Sequence, residues 1–171
     1  MFFHAPGRFE SGAYEVNRRS KRALVESAKA HGTLVYCGEA PVAWCQFGPS
    51  EELQRIDRKR GYEPTSPDAW RLTCLFVDRA HRRLGLSGVA VDESLHAMKK
   101  LGVRSVESYP VEGVLSASML WSGTPRLFER HGFKRVARLG KTSWIYSVSL
   151  NEWDEPRGLY TTPGDRSPRA A

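Results

Sequence analysis

No apolar run in the chain approaches the roughly 20 residues that a membrane-crossing helix requires, and the opening MFFHAPGRFE lacks the charged head and long apolar core of a secretory leader. A cytoplasmic protein that spans no membrane is therefore expected. Cysteine is scarce: Cys37, Cys45 and Cys74 are odd in number and lack C-x-x-C spacing, which argues against a disulfide framework and a thiolate zinc site. The five histidines are scattered without H-E-x-x-H or comparable pairing, so no metal is expected. Also missing are G-x-x-x-x-G-K-[ST] and any G-x-G-x-x-G that follows a strand with a suitably placed acid. Nucleotide hydrolysis and a Rossmann dinucleotide site thereby lose their main support.

What is present suits one globular domain. The 171 residues, 40% of them hydrophobic, can bury a sizeable core. A single domain is expected over residues 1–150, followed by a loosely ordered polar tail over 151–171 that contains Pro156, Pro163 and Pro168. A formal charge of +7 favours an anionic ligand or surface. Coenzyme phosphates, nucleic acid and solubility alone share that signature.

The pattern along the chain is mixed α/β. MFFH reads as a short edge strand, and residues 13–31 as an amphipathic helix stopped by Gly32, with Arg18, Arg19, Lys21 and Arg22 on a solvated face. Strands near 33–37 and 42–47 form a hairpin, Ser50 caps a short helix, and the polar stretch 57–69 is an exposed loop. WRLTCLFV, residues 70–77, is a strand covered on both faces. Helical spacing follows from Leu84 to Leu101, then a strand at VRSVESYPV, which implies a right-handed parallel crossover. Residues 111–123 form a loop. Thr124, Pro125 and Gly132 bound a further helix, and residues 133–139 and 142–150 a final hairpin.

The chemistry is concentrated after Val77, where Arg82, Arg83, Leu84, Gly85, Leu86, Ser87 and Gly88 lead into a helix. At a helix start the first N–H groups lack backbone partners and the dipole adds partial positive charge. Glycines allow close approach of a ligand, so this is the construction of a phosphate cradle. An ordinary strand-to-helix turn has the same composition.

LFVDRAHRRLGLSG resembles motif A of the GCN5-related N-acetyltransferase (GNAT) superfamily, in which a strand ending in valine is followed five residues later by [QR]-x-x-G-x-[GA]; here these are Val77, Arg82, Gly85 and Ser87. VESYP, LFERHGF and VAWCQFGP resemble further stretches of the family, and the likeness covers approximately residues 33–150. It implies an α/β fold with a mixed, mostly antiparallel central sheet that contains a splayed parallel strand pair and is flanked by helices. It also implies acetyl-CoA as co-substrate, no metal, and a small-molecule or peptide amine as acceptor. Main-chain donors from Arg83 to Gly88, with Arg82, would surround the pyrophosphate, while Leu75, Phe76 and Val77 would line the pantetheine arm, with N–H groups near Phe76 facing the oxyanion. A homodimer through the final strands is compatible with the resemblance.

For the attack of the amine on the thioester, Glu107 is the candidate general base, with a strand carboxylate paired to a neighbouring arginine as the alternative. Phe128 stands where many relatives carry a tyrosine that protonates the leaving thiolate, and Tyr109 is either its substitute or a core aromatic. Cys74 lacks a nearby histidine and sits in an apolar strand, which argues against a covalent acetyl-cysteine. Trp44, Gln46 and Trp70 are candidates for the border of an acceptor pocket, or else for sheet packing. The leading reading does not expect nucleic acid as a partner; the readings from other classes are a basic nucleic-acid-binding module and a non-catalytic acyl-CoA-binding regulator.

Overall fold

The computed structural model describes residues 13–113 and 117–154, so the expected MFFH strand and most of the polar tail lie outside the described residues. Helix α1 spans Tyr14–Glu26 and stops well before Gly32. The reason is a double carbonyl cap: the N–H groups of Ala28 and Lys29 donate to the carbonyls of Val25 and Leu24, with Ala28 in the left-handed region at φ 54. Glycine normally takes that position, which is why the sequence pointed to Gly32; that residue instead lies inside strand β1. No residue of α1 is fully buried. Its arginines form exposed ion pairs, Arg18 with Glu15 and Arg22 with Glu26.

Strands β1 (His31–Cys37) and β2 (Ala40–Gly48) form the expected hairpin, turned by Gly38 at φ 59. Strand β3 (Trp70–Val77), helix α2 (Leu86–Lys100) and strand β4 (Ser105–Ser108) make the crossover. Helix α3 (Pro125–Arg130) has Thr124 as N-cap, accepting from the Leu127 N–H. Strands β5 (Lys134–Leu139) and β6 (Ser143–Ser149) close the sheet.

The six strands lie in the order β1-β2-β3-β4-β6-β5. All neighbours are antiparallel except β3 and β4, as expected for strands joined by a helical crossover. Their parallel pairing holds only for Trp70–Val106, Arg71–Glu107 and Leu72–Ser108. Beyond Leu72, β3 continues to Val77 with β2 on one side and no strand on the other. A bulge at Thr73, where Gln46 pairs with Cys74 but Phe47 with Leu72, bends β3 at the point where the strands part.

One face of the sheet packs Cys45, Phe47, Leu72 and Leu75 against Ala90, Val91, Leu95 and Met98 of α2. A smaller cluster of Leu53, Ile56, Tyr109, Leu139 and Ile145 covers the other face, since Ile145 and Tyr146 point oppositely along β6. The stretch 49–62 is a chain of turns rather than a free loop: Leu53 and Ile56 are fully buried, and N–H groups bond three residues back from Glu52 to Tyr62.

Candidate active site

Where β3 and β4 part, a cleft of about 490 Å³ opens between the end of β3, the turn into α2 and the segment from Leu120 to Leu127. Leu75, Phe76 and Val77 form one wall; Arg82, Arg83, Gly85, Leu86 and Ser87 form the floor at the mouth of α2. Strand alternation decides which backbone groups face it. The Asp78 N–H donates to Val42 of β2, so successive residues alternate and the N–H and C=O of Leu75 and Val77 point away from β2, into the parting. The Arg82 Nε donates to the Val77 carbonyl at 3.2 Å, in agreement with that direction. The oxyanion-facing N–H expected near Phe76 therefore belongs to its neighbours, because Phe76 itself directs its main chain towards β2; its ring, 53% exposed, lines the cleft.

The turn into α2 is strained in a way that bares its amides. Arg83 adopts φ 64 and Gly85, the N-cap, φ 81. No side chain caps α2 and no acidic residue occupies its first turn. Among the described residues no main-chain acceptor is bonded to the N–H groups of Arg83 to Ser87, whereas the Gly88 N–H is taken by the Gly85 carbonyl at 2.8 Å. Gly88 is buried in the helix and supplies no free donor, and Leu84 is exposed at the crest. A non-glycine residue in the left-handed region costs about 1–2 kcal/mol, and such strain is commonly found at ligand sites.

A second cavity of about 220 Å³ lies on the smaller-cluster side, lined by Arg55, Ile56, Lys59, Thr73, Tyr109 and Ser122 among others. Trp121 belongs to the walls of both cavities, which lie on either side of it. The Thr73 and Ser122 hydroxyls are buried without a hydrogen-bond partner among the described residues.

Glu107, expected as a base facing the reacting atoms, is fully buried and lines neither cavity. Its Oε2 accepts from Tyr62 at 2.8 Å and Tyr109 at 2.6 Å, and its Oε1 from the Thr65 N–H. The paired carboxylate weighed as the alternative is thus closer to what is found, though its partners are tyrosines. Tyr109 stands between Glu107 and the second cavity. Burial, then the nearby Glu107 charge, raises the Tyr109 pKa well above the ordinary phenol value, so its proton stays on as a donor to Glu107. Behind them Arg71 is buried, donating to Asp57, the Tyr62 hydroxyl and the Ser50 and Leu53 carbonyls. Burial, the largest single cause, would lower its pKa; the bond to Asp57 and the interactions with Tyr109 and Tyr62 together outweigh it and raise the value.

Phe128 is fully buried and packs on Phe133 with ring centroids 5.2 Å apart, so it takes no part at the cleft. Burial pushes the Cys45 thiol up to about 12 and Cys74 to about 11, which leaves both inert at neutral pH. Trp70 packs on Phe47 and His31, Trp44 lies under Lys21, and neither lines a cavity; nor does Gln46. The residues that sequence reasoning missed are Trp121, Ser122, Thr73, Arg55 and Lys59. Only Thr73 carried a signal, a polar residue inside an apolar strand.

No protein-family model matches the chain and no curated protein matches it in sequence. Solved structures do. A GNAT-family protein from Desulfovibrio desulfuricans is 18% identical over 84% of this chain and 85% of its own, with a TM-score of 0.56. The ribosomal-protein-S18-alanine N-acetyltransferase of Escherichia coli is 12% identical over 93% and 90%, with a TM-score of 0.52. A Salmonella typhimurium protein solved with acetyl-CoA is 12% identical over 84% and 78%, with a TM-score of 0.54. The chain has the fold of the GCN5-related N-acetyltransferases.

Proposed function

We propose that the protein is an acetyl-CoA-dependent N-acetyltransferase. The observation that carries this reading is the run of N–H groups from Arg83 to Ser87 that have no main-chain partner among the described residues, at the mouth of a helix and beside an open strand edge, in a fold shared with such enzymes. The donors suit a pyrophosphate, and the open edge of Leu75 and Val77 suits an amide-bearing arm that adds like a strand. Gly88 contributes shape rather than a donor, since its N–H is taken by the Gly85 carbonyl.

The amine enters from the smaller cavity. Its nitrogen lone pair attacks the acetyl carbon, the carbon–sulfur bond breaks, and the thiolate leaves. The amine proton passes to the Tyr109 oxygen as the Tyr109 proton passes to Glu107, so Glu107 acts through Tyr109. Holding both reactants in contact contributes about 7–11 kcal/mol. Direct attack is favoured because neither Cys45 nor Cys74 is available as a nucleophile at neutral pH. The competing reading, a nucleic-acid-binding module, rests on the +7 charge and the α1 arginines, and salt-dependent binding of nucleic acid that acetyl-CoA does not displace would favour it.

The test is thiol release from acetyl-CoA over a panel of amines. Amine-dependent release is expected, with Tyr109→Phe lowering kcat about 100-fold while acetyl-CoA affinity stays. Binding of acetyl-CoA without release for any amine would instead favour a regulator that binds acyl-CoA.

A further inference from the structure

We infer that the acceptor carries an anionic group, such as a carboxylate, beside its amine, and that Arg55 and Lys59 bind that group in the smaller cavity. The inference deepens the acyl-transfer reading and rests on it for the reaction; the anion site itself stands on the cavity alone.

The cavity has a gradient. Thr73 and Ser122, 3% and 7% exposed, lie at its buried end, while Arg55 is half-buried and Lys59 exposed. Trp121 borders both cavities, so the amine belongs on its side and the far end of the acceptor meets the cations. The volume of about 220 Å³ lies just below the usual range of small-molecule pockets, roughly 300–1,000 Å³. That space holds a small amino acid more readily than a folded peptide segment.

Charge makes the choice of partner. Two cations and no carboxylate line the cavity among the described residues, because Glu107 is shielded behind Tyr109. Lys59 has no ion pair among those residues. Desolvation, then the Arg55 charge, lowers the Lys59 pKa, which is the response of a cation held near its like. An anion relieves that repulsion. A diamine or polyamine adds to it.

The same field serves the chemistry. Positive charge disfavours the ammonium form of the incoming amine and so favours the neutral nucleophile, while the carboxylate keeps the molecule bound. The Thr73 and Ser122 hydroxyls are buried in the cavity wall without a partner among the described residues, and a buried hydroxyl without a partner is costly to keep.

The experiment measures kcat/KM for the twenty amino acids, each against its own carboxamide, with simple diamines alongside. The expected result is at least one amino acid preferred over its amide by about 10- to 100-fold, the range given by a charge-assisted hydrogen bond. Lys59→Gln should collapse that ratio through KM, and Lys59→Glu should invert it; Lys59 is exposed, so neither change threatens the fold. Thermal shift with the same compounds reads the anion site without turnover, and carboxylates but not amides should raise the melting temperature of the wild type only. Equal or better use of amides or diamines, or a preference that survives Lys59→Gln, overturns the inference. Carboxylate binding without acetyl-CoA consumption upholds the anion site and refutes the transfer reading; acetyl transfer to uncharged amines alone does the reverse.

Discussion

Among the described residues Arg71 is the largest fully buried side chain, and it sits in a strand that reads from sequence as nearly continuous apolar residues. Its guanidinium is neutralised by Asp57, from the stretch expected to be an exposed loop. Sequence pattern cannot show such a pair, because the two residues meet only when 49–69 folds back over β3. Asp57→Ala leaves a buried cation short of its counter-charge and should cost about 3 kcal/mol in denaturant unfolding. Lys21 is a different case. Burial, the largest cause, depresses its pKa to about 8 from 10.5, only partly opposed by the Cys74 and Glu52 charges. Between those values the unfolded chain holds the extra proton, so stability rises with pH from about 8 to 10.5 as the penalty for a charged Lys21 disappears. Lys21→Met should therefore stabilise the protein below pH 8, by on the order of 1 kcal/mol after solvent screening, and flatten that rise. Thermal melts at pH 7 and pH 10 would show it.

At the scale of elements, the boundaries followed the strength of the local signals. Thr124 and Pro125 opened α3 as expected, and the β1–β2 and β5–β6 hairpins formed where β-rich runs flanked a turn. Helix α1 ended early because Ala28 accepted a left-handed conformation that composition assigns to glycine. The stretch 111–123 carried no periodicity, yet it supplies Trp121, Ser122 and Gly123 to the site. Gly123 is where this segment touches the core: at φ 74, a Cβ there would lie 2.6 Å from Phe128 Cε2 and 3.1 Å from Leu75 Cδ1. Gly123→Ala should cost about 1–3 kcal/mol from overpacking and backbone strain and weaken acetyl-CoA binding, since Gly123 and Leu75 both line the cleft. Melting and calorimetric titration would check the two effects separately.

At the scale of the molecule, the turn from β3 into α2 was legible because it depends on local features: a strand end, a helix start, glycine and arginine in one short stretch. The second cavity was not, because it is assembled from β3, the turns at 49–62, the residue after β4 and the segment around Trp121. Glu107 shows the difference. Its place on the second strand of the parting was read correctly, but its enclosure by Tyr62, Tyr109 and Thr65 depends on chain that returns from elsewhere. The charge of +7 has two uses in this account, a pyrophosphate at one cavity and an acceptor anion at the other. The measurement that tests the central claim most directly is a backbone amide NMR titration with coenzyme A. The largest shifts should fall on Arg83 to Ser87 and on Leu75 and Val77, with Gly88 moving less. Shifts concentrated elsewhere, or none at millimolar ligand, would contradict it.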